Sequence, residues 1–182
     1  MRAVGEPAVW QNSPVPDARA ISWGLFAAWA VHDAEEVLTA TSWSRQTTAR
    51  LRAEDWPSWI VDSATVSTTQ FALAAAIVGV AVLLLARHGA RSGARSAVFQ
   101  AGVLVFGWHG LVHVGQAVLL RGYVPGLVGA VLVVIPYSVW AWRTTGAIPG
   151  RHRPSVAVVA GVAVAAIVLT VIAQALSRLL PG

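Results

Sequence analysis

The stretch Ala30–Thr39 places four ionisable side chains, those of His32, Asp33, Glu35 and Glu36, inside an otherwise apolar segment. Near the centre of a membrane helix, an acidic side chain costs roughly 2.5–3.5 kcal/mol on insertion scales. Three such acids together cost roughly 8–10 kcal/mol unless they are protonated, paired or bound to a cation. A chain that folds around this stretch must therefore supply partners for its carboxylates.

The composition indicates that the surrounding segment does lie in a membrane. Of the 182 residues, 56% are hydrophobic and only 12% are charged, against about 25% charged in soluble domains. The net charge of +5 comes from arginines that lie mostly in short segments between apolar runs, which is typical of topology signals and not of a nucleic-acid surface. The chain has no cysteine, so any metal site would have nitrogen and oxygen ligands.

The pattern of apolar runs predicts an all-α integral membrane bundle of about five transmembrane helices. Residues 1–19 are expected to form a disordered tail, and residues 20–178 a single transmembrane domain. Within the fourth helix, Pro136 is expected to cause a kink. The predicted spans are residues 20–40, 66–86, 97–120, 124–142 and 156–176.

The distribution of arginine predicts an orientation. Eight of the thirteen arginines fall on the side that holds the N-terminus and the turns after the second and fourth spans. By the positive-inside rule this side is cytoplasmic, so we expect a plasma-membrane protein with its C-terminus outside. These arginines are Arg2, Arg19, Arg87, Arg91, Arg95, Arg143, Arg151 and Arg153.

A second polar group on the third span offers partners for the acids. His109 and His113 are four residues apart and share one helix face, as do His32 and Glu36 on the first span, with Glu35 within about 100° of them. Both groups are expected near the middle of their spans. Because polar groups in membrane helices face one another, we expect the first span to pack against the third.

Three arrangements would compensate the acids, and the sequence leaves all three open. One is a divalent cation, Zn, Fe or Mn, bound by His32, Glu36, His109 and His113. With such a cation, either Glu35 or Glu36 could ligate while the other acts as the catalytic general base. The others are a metal-free acid–base site and a structural hydrogen-bonded network.

Each arrangement favours a different class of function. The first favours a metal-dependent enzyme acting on a lipid-soluble small molecule in the bilayer. A proton- or cation-coupled transport or channel element and a membrane scaffold are the alternatives. Whether the protein is an enzyme and what its oligomeric state is are left open.

The same residues carry a resemblance to a known family. The chain resembles the HXXEE family of uncharacterised membrane proteins in His32-Asp-Ala-Glu35-Glu36 and, further along, in His109-Gly-Leu-Val-His113 and Pro136-Tyr-Ser-Val-Trp-Ala-Trp142. The turn containing Tyr123 is also similar, and the order of the motifs agrees from about residue 21 to residue 142. The resemblance implies no particular reaction, but it implies that these residues form one site.

Overall fold

The computed structural model describes residues 17–179, and every regular element in this range is helical. The predicted all-α class is therefore confirmed for the described residues. Residues 1–16 of the predicted tail lie outside the described residues, and the first helix begins at Ala18, capped by the Asp17 carboxylate. We number the helices α1 (Ala18–Ala53), α2 (Ser58–Ser63), α3 (Thr68–Arg91), α4 (Ala97–Leu119), α5 (Leu127–Gly146) and α6 (Val156–Arg178).

Four of these helices, α3, α4, α5 and α6, are long and apolar enough to cross a membrane. The sequence pattern predicted five, and by this measure the count is wrong for the described part of the chain. The difference lies in α1, which contains the predicted first span but joins it to a second half rich in Arg, Ser and Thr. Four apolar helices of membrane length indicate an integral membrane protein.

Helix α1 is one continuous element of 36 residues, although the predicted span ended near residue 40. Residues 41–53 contain no Pro or Gly and include several good helix formers, so nothing in them breaks the helix. At 1.5 Å per residue α1 is about 54 Å long, well beyond the roughly 30 Å of a hydrocarbon core. The helix ends at Ala53, and Asp55, whose φ is positive (54°), and Pro57 follow it.

Helix α3 runs antiparallel to the first half of α1. Thr41 Oγ1 accepts a hydrogen bond from the backbone N–H of Thr68 (2.8 Å), and Ser44 Oγ accepts one from Val66 (3.1 Å). These bonds fix the start of α3 at the level of residues 41–44. Further along, the Trp29 ring covers Gly79, where a Cβ atom would overlap the indole.

Helix α4 runs parallel to α1, and side chains of the two helices meet at several levels. At one end, Ile21 and Leu25 of α1 lie in a buried cluster with Phe99 and Val103 of α4. At the other end, Arg50 Nη2 donates a hydrogen bond to the carbonyl of Leu120, just past the end of α4 (2.7 Å). The polar residues of the two helices lie between these two contacts.

Helix α5 begins at a glycine and widens before its proline. Gly126 precedes the helix with φ 81°, a left-handed conformation that favours glycine. Residues Ala130–Val134 form a π-helical turn directly before Pro136. Proline lacks an N–H and crowds the preceding turn, so a wider turn accommodates it where the sequence predicted a kink.

A candidate metal centre between three helices

Three imidazoles and one carboxylate converge between α1 and α4. His32 and Glu36 come from α1, and His109 and His113 come from α4. One potential ligand atom from each of the four residues lies within 4.8 Å of every other. The group could therefore hold a metal ion, and its members are the four residues that the sequence pattern suggested as ligands.

Several of the distances between these atoms are close to those between the ligands of one cation, and all lie within 4.8 Å. His109 Nε2 lies 3.1 Å from Nε2 of His32 and 3.1 Å from Nε2 of His113. The Glu36 Oε1 atom lies 3.2 Å from His113 Nε2 and 3.8 Å from His32 Nε2. Around a tetrahedral zinc ion with bonds of 2.0–2.1 Å, neighbouring ligand atoms are about 3.3 Å apart.

Hydrogen bonds alone do not satisfy the three imidazoles. A ring nitrogen carries either one hydrogen or one lone pair, so Nε2 takes part in at most one well-aligned hydrogen bond. The two 3.1 Å contacts of His109 Nε2 therefore cannot both be such bonds. A cation held by His32, His109 and His113 would remove this conflict, since each ring nitrogen could then act as a ligand.

The cluster is buried on the side of α1 and open on the side of α4. His32 is fully buried, and His113 and Glu36 are 6% and 7% exposed. His109 is exposed at the outer surface of α4, where its neighbours Trp108 and Val112 are exposed as well. Since α4 is one of the membrane-length helices, the exposed side of His109 is surrounded by apolar side chains.

Glu35 has a different environment from Glu36. Its Oε1 atom accepts hydrogen bonds from the Tyr123 hydroxyl (2.7 Å) and from the backbone N–H of Val128 (3.1 Å), and its Oε2 atom accepts one from Gly129. Val128 and Gly129 belong to the first turn of α5, whose N–H groups have no partner within that helix. Glu35 therefore caps α5, and the helix dipole stabilises its negative charge.

The first turn of α5 forms one wall of the cluster, and glycines allow it to approach. A Cβ atom on Gly126 would lie 2.6 Å from His32 Cε1 and 2.9 Å from Glu36 Oε1. A Cβ atom on Gly129 would lie 3.1 Å from His32 Nδ1. The position of Gly126, with its positive φ, favours glycine on both grounds, and at Gly129 a side chain would crowd His32 and Glu35.

The cluster lies in the half of α4 that is nearer the turn between α4 and α5. His113 is six residues before the last residue of α4, a distance of about 9 Å along the helix. Helix α5 begins directly beside Glu35. His109, however, is one residue from the midpoint of α4, so the expected position near the middle of the spans stays a prediction.

The fold and the site define this protein as an all-helical membrane protein with a buried His/Glu cluster. The family model described as "Protein of unknown function with HXXEE motif" matches residues 23–141, well over half of the chain. The chain therefore belongs to this family, as its motifs indicated. No curated protein and no solved structure matches it.

The structure thus brings together four of the five residues singled out from the sequence and separates the fifth. His32, Glu36, His109 and His113 converge, whereas Glu35 turns towards α5. Asp33 lies outside the group as well. Sequence reasoning missed Gly126 and Gly129, and the local signal for them was the Pro-Gly turn at the start of an apolar run.

Proposed function

We propose that this protein is a metal-dependent membrane enzyme whose divalent cation is bound by His32, Glu36, His109 and His113. The observation that carries the proposal is the convergence of three Nε2 atoms and one carboxylate oxygen at the spacing of ligands. Imidazole and carboxylate together suit Zn, Fe or Mn, and the absence of cysteine disfavours metals that prefer sulfur. A cation in such a site can polarise a carbonyl or phosphoryl oxygen, or lower the pKa of a bound water.

The two glutamates take different roles in this proposal. Glu36 faces the imidazoles, so its carboxylate would bind the cation and contact the reacting groups of the substrate. Glu35 already accepts three hydrogen bonds, so it acts as a positioning residue that holds the first turn of α5 against His32. The sequence had allowed either glutamate to act as the general base.

The exposure of His109 supports a lipid-soluble substrate. His109 is the member of the cluster at the outer surface of a membrane-length helix, among exposed apolar side chains. A molecule dissolved in the bilayer could reach the cluster from this side without crossing the packed interior. A water-soluble substrate would instead need a polar path between the helices.

We further propose that the protein lies in the plasma membrane with the arginine-rich turns in the cytoplasm. The turns after α3 and α5 lie at the same end of the bundle, since the backbone N–H of His152 donates to the carbonyl of Arg95 (3.0 Å). The positive-inside rule assigns this end to the cytoplasm. The cluster would then lie in the outer half of the membrane, and the C-terminus outside.

Elemental analysis tests the metal site directly. The protein is purified without a histidine tag or chelator, and bound Zn, Fe and Mn are measured in the wild type and in the variants His113→Ala and Glu36→Gln. We expect about one equivalent of one metal per chain in the wild type and less than a tenth of that in both variants, since each removes one of four ligands. The control is His152→Ala, which removes an exposed histidine in a turn and should leave the metal content unchanged.

Wild-type protein that lacks a stoichiometric metal would contradict the proposal. So would equal metal content in His113→Ala and His152→Ala. The transport alternative makes a separate prediction, namely proton or cation flux in liposomes that Glu36→Gln abolishes. The scaffold alternative predicts that both cluster variants change only the thermal stability.

A further inference from the structure

An open cavity of about 360 Å³ lies near the cluster, between the second half of α1 and the turn that joins α4 to α5. Its walls include Thr39, Ser42, Gln46 and Arg50 of α1 and Tyr123 of the turn. Since one water takes up about 30 Å³ in the liquid, the volume would hold about twelve waters or one small polar headgroup. No acidic side chain lines it, so its charge favours an anion.

Arg50 supplies the positive charge of the cavity. Among the described residues it makes one hydrogen bond, from Nη2 to the carbonyl of Leu120 (2.7 Å). Glu54 Oε1, one helical turn on, lies 3.9 Å from Arg50 Nε and forms an exposed ion pair with it that is too long for a hydrogen bond. The guanidinium therefore keeps N–H donors for a ligand, and its planar fork matches phosphate oxygens.

The cavity lies where a bilayer meets water. It lies just past the end of the membrane-length helix α4, where Gly122 and Tyr123 line it together with Trp43 of α1. Tryptophan and tyrosine are typical of the headgroup layer. A ligand whose charged group lies in this layer can extend an apolar chain into the bilayer, whereas a ligand that is polar throughout cannot.

Tyr123 and Glu35 connect the cavity to the cluster. Tyr123 lines the cavity, and its hydroxyl donates to Glu35 Oε1 (2.7 Å) and lies 3.3 Å from Thr39 Oγ1. Glu35 in turn holds the first turn of α5, which forms a wall of the cluster. A headgroup in the cavity would thus lie beside the structure that positions His32 and Glu36.

We propose that this cavity binds the phosphate headgroup of an amphiphile through Arg50. That the bound amphiphile is the substrate rests on the metal-dependent function proposed above. The binding itself does not, and it can be measured without turnover. A free phosphate ion offers the same oxygens to Arg50, so the test compares the two sources.

The experiment measures the dissociation constant of dodecyl phosphate for the full chain in a nonionic detergent by isothermal titration calorimetry. Inorganic phosphate and dodecyltrimethylammonium are titrated in parallel. The variants are Arg50→Gln, which removes the charge, and Ser42→Phe, which fills the cavity from an exposed position without touching Arg50. The matched control is Arg45→Gln, which removes an exposed arginine of the same helix that does not line the cavity.

We expect Arg50→Gln and Ser42→Phe each to weaken the binding of dodecyl phosphate about tenfold or more, and Arg45→Gln to leave it within about twofold. Inorganic phosphate should bind far more weakly, and dodecyltrimethylammonium should show no Arg50-dependent binding. Equal losses in Arg45→Gln and Arg50→Gln, or full binding in Ser42→Phe, would overturn the proposal. Equal affinity for inorganic phosphate would overturn the amphiphile as the ligand.

Metal content is measured in the same samples to separate this proposal from the proposed function. Weak binding of dodecyl phosphate by wild-type protein that contains its metal would refute only the cavity. Strong, Arg50-dependent binding by protein that contains no metal would refute only the metal-dependent function. Because Ser42→Phe leaves the bond between Arg50 and Leu120 in place, it tests the cavity even if Arg50→Gln fails to fold.

Discussion

Replacement of Gly126 by alanine tests whether the backbone of the α4–α5 turn fixes the geometry of the cluster. The new methyl group has two separate effects. It places a Cβ atom in the left-handed conformation, with φ 81°, which costs an L-residue about 1–2 kcal/mol. It also lies 2.6 Å from His32 Cε1 and 2.9 Å from Glu36 Cγ, so one of these side chains must move.

A second glycine separates the two effects. Gly150, in the turn before α6, has φ 71°, and a Cβ atom added there would meet nothing within 4 Å. Gly150→Ala therefore carries the backbone cost alone. The difference between the two variants isolates the contact with His32 and Glu36, which at the usual cost of overpacking is about 1–3 kcal/mol.

The assay combines thermal unfolding in detergent with metal affinity by chelator competition. A difference of about 1–3 kcal/mol in the free energy of unfolding corresponds to roughly 2–12 °C in Tm for a chain of this size. We expect Gly126→Ala to unfold at a lower temperature than Gly150→Ala by that amount. Since the displaced groups are the proposed ligands, its metal affinity should also fall about 10–100-fold.

The reasoning fails if the two alanine variants have the same Tm and the same metal affinity. In that case the turn can move away from His32 at no cost, and α5 does not form a fixed wall of the cluster. Loss of Tm without loss of metal affinity would refute only the link between the turn and the ligands.

Three further predictions concern other contacts. Glu35→Gln should lower the free energy of unfolding by about 1–3 kcal/mol, because it removes the charge that caps α5, yet retain most of the metal, whereas Glu36→Gln should lose the metal. Elemental analysis and Tm of the two variants check this, and equal metal loss would contradict it. Burial raises the pKa of the Tyr123 hydroxyl above its unfolded value of about 10. The contribution of the protonated hydroxyl to the free energy of unfolding is therefore present below about pH 10 and is lost as the pH rises through the folded pKa. Tyr123→Phe should therefore lose less stability than the wild type in an alkaline titration, and identical curves would refute this. Gly79→Val should disrupt the packing of α3 on Trp29 and lower Tm. The control Gly161→Val, whose Cβ atom meets nothing within 4 Å, should not lower Tm. Similar Tm values for the two variants would count against this packing.

Much of the fold followed from local patterns in the sequence. The long apolar runs of the sequence coincide with α3, α4, α5 and α6, because a membrane-length helix must be apolar along most of its length. The end of α1 was not predictable in the same way. Polarity after residue 40 indicated an exit from the membrane, but a helix can continue into water when no residue breaks it.

Most residues of the candidate site could also be predicted from the sequence. His32 and Glu36 are four residues apart, and so are His109 and His113, so helical geometry alone places each pair on one face. The cost of acids in an apolar helix then predicted that the two faces meet, and the structure brings the four side chains together.

The sequence by itself determined that buried acids on the first helix need partners and that the imidazoles of α4 are suitable ones, since helix periodicity and the cost of charge in an apolar medium are local properties. Only the tertiary structure decided how the two adjacent glutamates differ. Glu35 and Glu36 have the same chemistry and lie about 100° apart around α1, so their partners depend on which elements pack on each side. Helix α5 begins beside Glu35 and offers it unpaired N–H groups, whereas Glu36 meets the histidines of α4.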